Sequence, residues 1–169
     1  MSIFEQIGTG DDDIKFAADR MLGRLVKWLR VLGYDVIYGQ HLTGYGLIRA
    51  ARAEDRLILT RDHRLKQKQP PPYILIASDR YSEQLRQVMQ DCRSTKNPER
   101  WFSRCLKCNA LLQARAKETV QKLVPAYVYS TQEAFSWCPG CQRIYWPATH
   151  HQKMVEELEG LGLGRPRNR

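Results

Sequence analysis

Two C-x-x-C pairs restrict the fold of this 169-residue chain more than any other feature of its sequence. The first pair is Cys105 and Cys108, and the second is Cys138 and Cys141. A C-x-x-C turn sets two thiolates about one edge of a tetrahedron apart, so two such turns predict a closed four-cysteine zinc site. Because such a site has no open coordination position, we expect the zinc to fold a small module and to take no part in catalysis.

Other cysteine chemistry agrees less well with this pattern. A redox C-x-x-C motif is the alternative, but the presence of two copies argues against it. Asn109 follows the first pair and Gly140 lies within the second, and both residues suit the tight turns of zinc knuckles. The fifth cysteine, Cys92, lies in a helical stretch with no histidine nearby in sequence. We expect it to be a small buried apolar residue.

Short apolar strands alternate with helices before the cysteine module. Strands are predicted at Ile14–Ala18, Asp35–Tyr38, Arg56–Thr60 and Tyr73–Ala77. Helices are predicted at Met21–Leu32, which Gly33 ends, around Leu47–Ala51, and after an N-cap at Ser82. This order indicates an α/β fold with a parallel sheet flanked by helices.

Changes in composition divide the chain into five segments. They are a flexible lead-in over residues 1–13, an α/β domain over 14–93, a linker over 94–100, a cysteine module with a closing helix over 101–159, and a basic tail over 160–169. The closing helix is predicted at about Gln152–Leu158.

The chain is basic, with 27 Lys and Arg against 18 Asp and Glu and a formal net charge of +9. Such a charge suits a polyanionic partner, most commonly nucleic acid, although an ordinary solvated basic surface is the alternative. No apolar run approaches the length of a membrane span, and the first residues lack the pattern of a secretory signal. We expect a cytoplasmic protein without a membrane partner.

Three carboxylates follow predicted strands. Asp19 follows the first strand, Asp62 the third and Asp79 the fourth. The carboxyl ends of parallel strands meet at one rim of a sheet, so these side chains should converge there. Converging carboxylates need a cation, and their oxygen ligands suit Mg²⁺ or Mn²⁺. The alternative is that each is an ordinary turn or N-cap aspartate.

Other potential ligands are excluded from this site. Asp35, Glu54 and Asp55 come at the starts of strands, so we expect them at the opposite end of the sheet. The four histidines show no convincing metal-ligand spacing; they are His41, His63, His150 and His151.

Several ordered motifs resemble the Mut-seven-C RNase family. In the α/β domain they are Lys15–Arg30, Leu59–Leu65 and Glu83–Leu85. In the cysteine module they are Arg104–Asn109, Val124–Pro125, Cys138–Cys141 and Arg143–Trp146, followed by His150 and Met154. The resemblance covers residues 14 to 158 and implies a PIN-like nuclease domain followed by a small zinc ribbon.

The resemblance also implies a function, that of a metal-dependent endoribonuclease-type hydrolase. Asp19 matches the first acidic position of the family, and Thr60 and Asp62 match its Thr-x-Asp element. Asp79, or Ser78 beside it, matches the last acidic position. We expect the three aspartates to hold Mg²⁺ or Mn²⁺ while Thr60 steadies the loop by hydrogen bonding. Four arginines near the strand ends are candidates for phosphate contacts, unless they are merely solvated: Arg20, Arg24, Arg61 and Arg64.

The sequence departs from the family at one place. An acidic residue usually follows the second strand, but Thr43–Gly46 contains none. This departure leaves a rival function open, that of a non-catalytic RNA- or ribosome-binding module with a degenerate nuclease site. A protein-interaction adaptor that uses the ribbon is a further alternative. RNA is the expected partner, with ribosome or tRNA association possible, and the sequence does not set the oligomeric state.

Overall fold

The computed structural model describes residues 14–93 and 97–164. The predicted lead-in, linker residues 94–96 and tail residues 165–169 lie outside that part of the chain. The α/β domain contains a four-stranded parallel sheet in the order β2-β1-β3-β4. The strands are β1 (Lys15–Ala18), β2 (Asp35–Tyr38), β3 (Leu57–Thr60) and β4 (Tyr73–Leu75). The predicted α/β fold with a flanked parallel sheet is therefore confirmed.

The helices of this domain are α1 (Gly23–Val31), α2 (Gly44–Ala53) and α3 (Tyr81–Asp91). A 3₁₀-helix at Arg20–Leu22 precedes α1, because the Asp19 side chain caps that turn by accepting the N–H of Met21. The predicted N-cap at Ser82 is wrong. Helix α3 begins two residues earlier than that cap implies, with Arg80 at the N-cap, and the hydroxyl of Ser78 accepts the N–H of Arg80 in the preceding turn.

Two apolar layers cover the two faces of the sheet. Phe16 and Ala18 of β1 belong to the larger layer, which includes residues of α1 and α3, while Ala17 belongs to a smaller layer against α2. Successive strand residues point to opposite faces, so a sheet that is covered on both sides needs continuous apolar strands. Cys92 is buried in the larger layer, as its sequence context predicts.

The cysteine module contains a second, antiparallel sheet. It consists of β5 (Gln113–Arg115), β6 (Phe135–Trp137) and β7 (Ile144–Tyr145), together with α4 (Ala126–Thr131) and α5 (Thr149–Gly160). Helix α5 is longer than predicted, and Met154, Val155 and Leu158 join the larger apolar layer of the first domain. The closing helix therefore stabilises the α/β core as well as its own module.

The first cysteine turn covers the outer edge of strand β2. The N–H of Val36 donates to Asn109 Oδ1 at 3.0 Å, and the carbonyl of Val36 accepts from Arg30 Nη2 at 2.8 Å. Arg30 Nη1 also donates to the carbonyls of Leu106 and Lys107, at 3.0 and 2.9 Å. One buried guanidinium thus joins the edge of the sheet to the cysteine module, and the outward backbone groups of Val36 are occupied.

An ion-pair network lies at the amino end of the sheet. Asp35 pairs with Arg56 at 2.6 Å, accepts from Asn109 Nδ2 at 2.8 Å and lies 3.7 Å from Arg104. Arg56 also pairs with Glu54 at 2.7 Å. Burial alone would raise the pKa of Asp35, but the hydrogen bonds from Arg56 and Asn109 outweigh it and lower that pKa. These acids serve the structure, in keeping with their exclusion from the predicted site.

No helix in residues 14–93 and 97–164 is long and apolar enough to cross a membrane.

Candidate active site and metal centre

The four paired cysteines converge on one point. All four Sγ atoms lie within 4.8 Å of one another, with 3.5 Å between Cys105 and Cys141 and 3.3 Å between Cys108 and Cys138. Within the described ranges, no other group of three or more His, Cys, Asp or Glu side chains is close enough to hold a metal ion. Four clustered thiols are the donor set of structural zinc sites, so this cluster could bind zinc.

Three non-cysteine residues shape the turns around the thiols. Asn109 takes a left-handed conformation with φ of 73°, as its position predicts, and Gln142 does the same after the second pair, with φ of 60°. Gly140 does not supply the left-handed residue. A Cβ at Gly140 would instead lie 3.0 Å from Cys108 Sγ and 3.8 Å from Cys138 Sγ, so its role is to leave room for the sulfur atoms.

Hydrogen bonds prepare one thiol for the thiolate form that a metal requires. Burial raises the pKa of Cys105, but bonds from the Tyr145 hydroxyl and the backbone N–H groups of Cys108 and Lys107 outweigh burial and lower it to about 6. The Tyr145 oxygen lies 3.1 Å from Cys105 Sγ. Tyr145 therefore supports the cysteine cluster from outside the set of four thiols.

A separate cleft of about 540 Å³ opens at the carboxyl ends of β1 and β3. Its lining combines two carboxylates with several cations: Asp19, Arg20, Met21, Thr43, Gly44, Arg61, Asp62, His63, Arg64 and Lys68. The position agrees with the rule that parallel sheets bind ligands outside the carboxyl ends of their strands.

Asp19 is the buried acid of this cleft, with only 4% of its surface exposed. Its Oδ2 accepts a hydrogen bond from Thr60 Oγ1 at 3.1 Å, and its Oδ1 accepts the N–H of Met21 at 3.4 Å. No Lys, Arg or His of the described residues forms an ion pair with it. A buried carboxylate without a cation is costly, because neutral hydrogen bonds replace only part of its lost hydration.

Thr60 links Asp19 to Asp62. The Thr60 hydroxyl donates to Asp19 and accepts the backbone N–H of Asp62 at 3.0 Å. The Asp62 carboxylate accepts both the N–H and the Nε of Arg64, at 3.0 and 3.1 Å, and these bonds lower its pKa. Asp62 therefore stays ionised near neutral pH and faces a solvated guanidinium.

Asp79 and Ser78 lie apart from this pair. Asp79 is exposed in the loop after β4 and does not line the cleft. The Ser78 hydroxyl donates to Glu83 Oε2 at 2.5 Å and so is engaged in the start of α3. The structure thus brings Asp19, Thr60 and Asp62 together and leaves the predicted last acidic position outside their hydrogen-bond network.

The predicted arginines differ in their surroundings. Arg20, Arg61 and Arg64 line the cleft, whereas Arg24 stacks over the ring of Tyr81 at 4.3 Å. Arg24 therefore has a packing partner, and cleft access is seen only for the other three.

Sequence reasoning missed Lys68. Its ammonium lies 4.8 Å from the centre of the Tyr45 ring, and a Cβ built on Gly44 would be 3.0 Å from its Nζ. A positive charge therefore lies beside Thr43–Gly46, the segment that lacks an acidic residue. No local sequence signal could have found it, because the 3₁₀-helix His63–Lys68 reaches this segment only through the fold.

Comparison with known proteins gives a family for the part of the chain that contains both sites. A family model described as the Mut7-C RNAse domain matches residues 14–158, a range that contains both the cleft and the cysteine cluster. Searches of curated proteins and of solved structures found no match.

Proposed function

The chain belongs to the Mut7-C RNAse domain family, and from this premise we propose that it is a metal-dependent ribonuclease that hydrolyses RNA phosphodiester bonds. The family itself indicates a nuclease or RNA-related function. The observation that carries the finer proposal is the buried Asp19 carboxylate, which lines a basic cleft without an ion-pair partner among the described residues.

A divalent cation fits this acid. Asp19 and Asp62 offer hard oxygen donors near one hydroxyl, and Mg²⁺ or Mn²⁺ prefers such donors. Bound there, the ion would activate water and stabilise the negative charge that develops on the phosphate. Asp79 is kept as a proposed third ligand only because of its place in the family motif. With fewer acids than the family pattern, Mn²⁺ should serve better than Mg²⁺, which demands a near-ideal octahedron.

The other cleft residues would position the substrate and the two acids. The Thr60 hydroxyl fixes the Asp19 carboxylate and the backbone of Asp62 together, so it orients both without touching RNA. Arg20, Arg61 and Lys68 line the cleft and are proposed to contact phosphates. Arg64 would release Asp62, so that its guanidinium could bind a phosphate and the freed carboxylate could bind a cation.

For the cysteine cluster we propose structural zinc. Four thiolates leave no open position, so the ion would hold the ribbon together and take no part in hydrolysis.

The second candidate function is RNA binding, to a ribosome or tRNA among other targets, without catalysis. The observation that favours it is the Lys68 ammonium beside Gly44, in the segment Thr43–Gly46 where the family usually has an acidic residue. An ammonium there attracts a phosphate but cannot bind a metal ion, so the cleft could bind RNA and not cut it.

The test is cleavage of a mixed pool of single-stranded RNA with Mg²⁺ or Mn²⁺, comparing wild type with Asp62→Asn. Asp55→Asn is the matched control, because Asp55 is exposed, lies before β3 at the other end of the sheet, and has a φ of 51° that Asn tolerates. We expect cleavage by wild type and Asp55→Asn only. Equal cleavage by all three proteins would indicate a contaminating nuclease, and salt-dependent binding without cleavage would favour the second candidate.

A further inference from the structure

One cavity uses family-motif residues to which neither site assigns a main role. It has a volume of about 160 Å³ and lies between the antiparallel sheet of the cysteine module and helix α5. Its lining contains five aromatic or imidazole rings, which are Phe102, Tyr145, Trp146, His150 and His151, together with Met154 and other apolar residues. Tyr145 also contacts the thiol cluster, but Trp146 and His150 belong neither to that cluster nor to the cleft.

Polar groups around this cavity lack protein partners. Among residues 14–93 and 97–164, no hydrogen bond joins the Ser136 hydroxyl, the Trp146 indole N–H or the His150 imidazole to another protein atom. Apolar pockets with a few convergent polar groups are typical of ligand sites, since the rings supply contact area and the polar atoms fix orientation.

The wall also lacks a free permanent cation. Arg104 is the one Lys or Arg in the lining, and its guanidinium is already engaged. It donates to the carbonyls of Gly33 and Asn109, at 3.1 and 2.9 Å, and lies 3.7 Å from Asp35. The cavity therefore suits a neutral, planar, hydrogen-bonding ligand better than a phosphate group.

We propose that this cavity binds one unpaired nucleobase of RNA. The inference rests on the proposed function for the presence of RNA, but it concerns a different part of the molecule from the cleft. A nucleobase is neutral, planar and polar at its edge, which matches aromatic walls with unpaired donors and acceptors. A base in a duplex is stacked and paired, so the site selects single-stranded segments.

Two lining residues of the cavity, Phe102 and His151, are held in place by contacts within the protein. Phe102 has a left-handed backbone with φ of 58°, and its N–H donates to Val31 O at 2.7 Å. Its ring packs against His151, with 3.7 Å between the ring centres. Burial, and then the neighbouring His150, lower the pKa of His151, so this ring stays neutral near pH 7. Because these two side chains are already ordered, less conformational entropy is lost when a ligand binds.

The cavity and the cleft lie in different parts of the molecule, so base binding and cleavage would take place at separate sites. The cysteine module contacts the amino end and edge of the parallel sheet, through Gly33, Asp35 and Val36. The cleft with Asp19 and Asp62 lies at the carboxyl end. A base held in the cavity would therefore belong to a nucleotide away from the cleaved bond.

The test measures binding of a labelled single-stranded RNA of mixed sequence, and of the same strand annealed to its complement, without added divalent cation or chelator. Trp146→Ala removes the ring and His150→Ala removes an exposed polar group. The control is Tyr127→Ala, because Tyr127 is an aromatic residue of the same module, is 77% exposed and lies outside the cavity. Zinc content and thermal unfolding of each variant verify its fold.

We expect Trp146→Ala to weaken binding of the single strand about 5- to 150-fold, as for the loss of one base–aromatic stack. His150→Ala should weaken it less, and duplex binding should not change. The dependence of affinity on salt should keep its slope, because no phosphate contact is lost. Unchanged single-strand affinity in both variants, or an equal loss for the duplex, would overturn the proposal.

Failure of this inference is distinguishable from failure of the proposed function. Normal binding by Trp146→Ala together with metal-dependent cleavage that Asp62→Asn abolishes would remove only the base site. Weakened binding by Trp146→Ala together with no cleavage by wild type would support the base site and remove only the nuclease.

Discussion

Each end of the parallel sheet has an aspartate, but the aspartate at the amino end is paired with cations and the buried one at the carboxyl end is not. At the amino end, Asp35 has partners on every side, namely Arg56, Asn109 and Arg104. At the carboxyl end, the carboxylate of Asp19 is buried but accepts hydrogen bonds only from a hydroxyl and one backbone N–H among the described residues. An acid whose charge is matched by protein cations contributes to stability, whereas one that is buried without a cation is available for a ligand.

The difference follows from where the cysteine module docks. Its first turn supplies Asn109 and two carbonyls to the amino end and the β2 edge, so that end is closed. No part of the module appears in the lining of the cleft, and the carboxyl end stays open. The following predictions would break or sharpen this contrast, beginning with the largest expected effect.

Loss of the proposed zinc should affect more than the ribbon. Cys108→Ser removes one of the four thiols, and structural zinc in small modules is worth roughly 10 kcal/mol of folding free energy. Because Arg30 depends on the carbonyls of Leu106 and Lys107, the β2 edge should become less protected as well. Elemental analysis and amide hydrogen exchange would measure both effects. The control is Cys92→Ala, which keeps all four thiols of the cluster and should keep the zinc. Unchanged amide hydrogen exchange in β2 after zinc loss would show that the module is not coupled to the sheet.

Breaking the amino-end network should cost stability and not chemistry. Asp35→Ala leaves Arg56 and Arg104 without their shared acid, and we expect a loss of about 3–5 kcal/mol in the free energy of unfolding. Cleavage per folded molecule should be unchanged. Denaturant unfolding would measure the loss, with the exposed Asp91→Ala as a control that stays within about 0.5 kcal/mol. A drop in cleavage without a drop in stability would mean that this end is functional.

The lowered pKa of Asp35 also gives this prediction a pH dependence. A depressed carboxyl pKa stabilises the fold above the ordinary Asp value of about 4, and the contribution disappears as pH falls through the lowered pKa. The stability difference between wild type and Asp35→Ala should therefore shrink on acidification below about pH 4. A difference that stays constant would exclude the ion pairs as its source.

The opposite result is expected at the carboxyl end. Asp19→Asn removes the charge but keeps one oxygen to accept the N–H of Met21, and its new amide nitrogen can donate to the Thr60 hydroxyl, which is able to accept. Cleavage should fall by about a hundredfold or more, roughly 3 kcal/mol of lost transition-state stabilisation, with stability unchanged or slightly higher. Single-turnover cleavage and thermal unfolding would test the two parts. Destabilisation as large as that of Asp35→Ala would make Asp19 a structural residue and remove the contrast.

The smallest effect concerns Lys68, the cation that lies beside Gly44. Lys68→Met should weaken RNA binding severalfold and reduce the slope of log affinity against log salt by about 0.7–0.9, as for one lost phosphate contact. Lys122→Met is the control, because Lys122 is exposed and lies outside the cleft. Equal salt slopes for the two variants would show that Lys68 contributes no more to RNA binding than any other lysine on the surface.

Local patterns in the sequence were sufficient for part of the site. The C-x-x-C spacing predicted the thiol cluster, and the strand pattern predicted that Asp19 and Asp62 come to the same end of the sheet. Each of these inferences depends on geometry within one element, or on the shared direction of parallel strands. Asp79 shows the limit, since β4 ends at Leu75 and the longer loop carries the acid away from the cleft lining.

By itself, therefore, the sequence determined the parallel sheet, the clustering of the four paired cysteines and two acids at one rim. Only the tertiary structure decided that Asn109 and Arg30 close the amino end, that Lys68 lies beside Gly44, and that Ser136 and Trp146 share a cavity. These contacts join residues on different elements, and no local spacing encodes them. They depend on how the elements pack, which the burial of apolar surface across the whole chain decides.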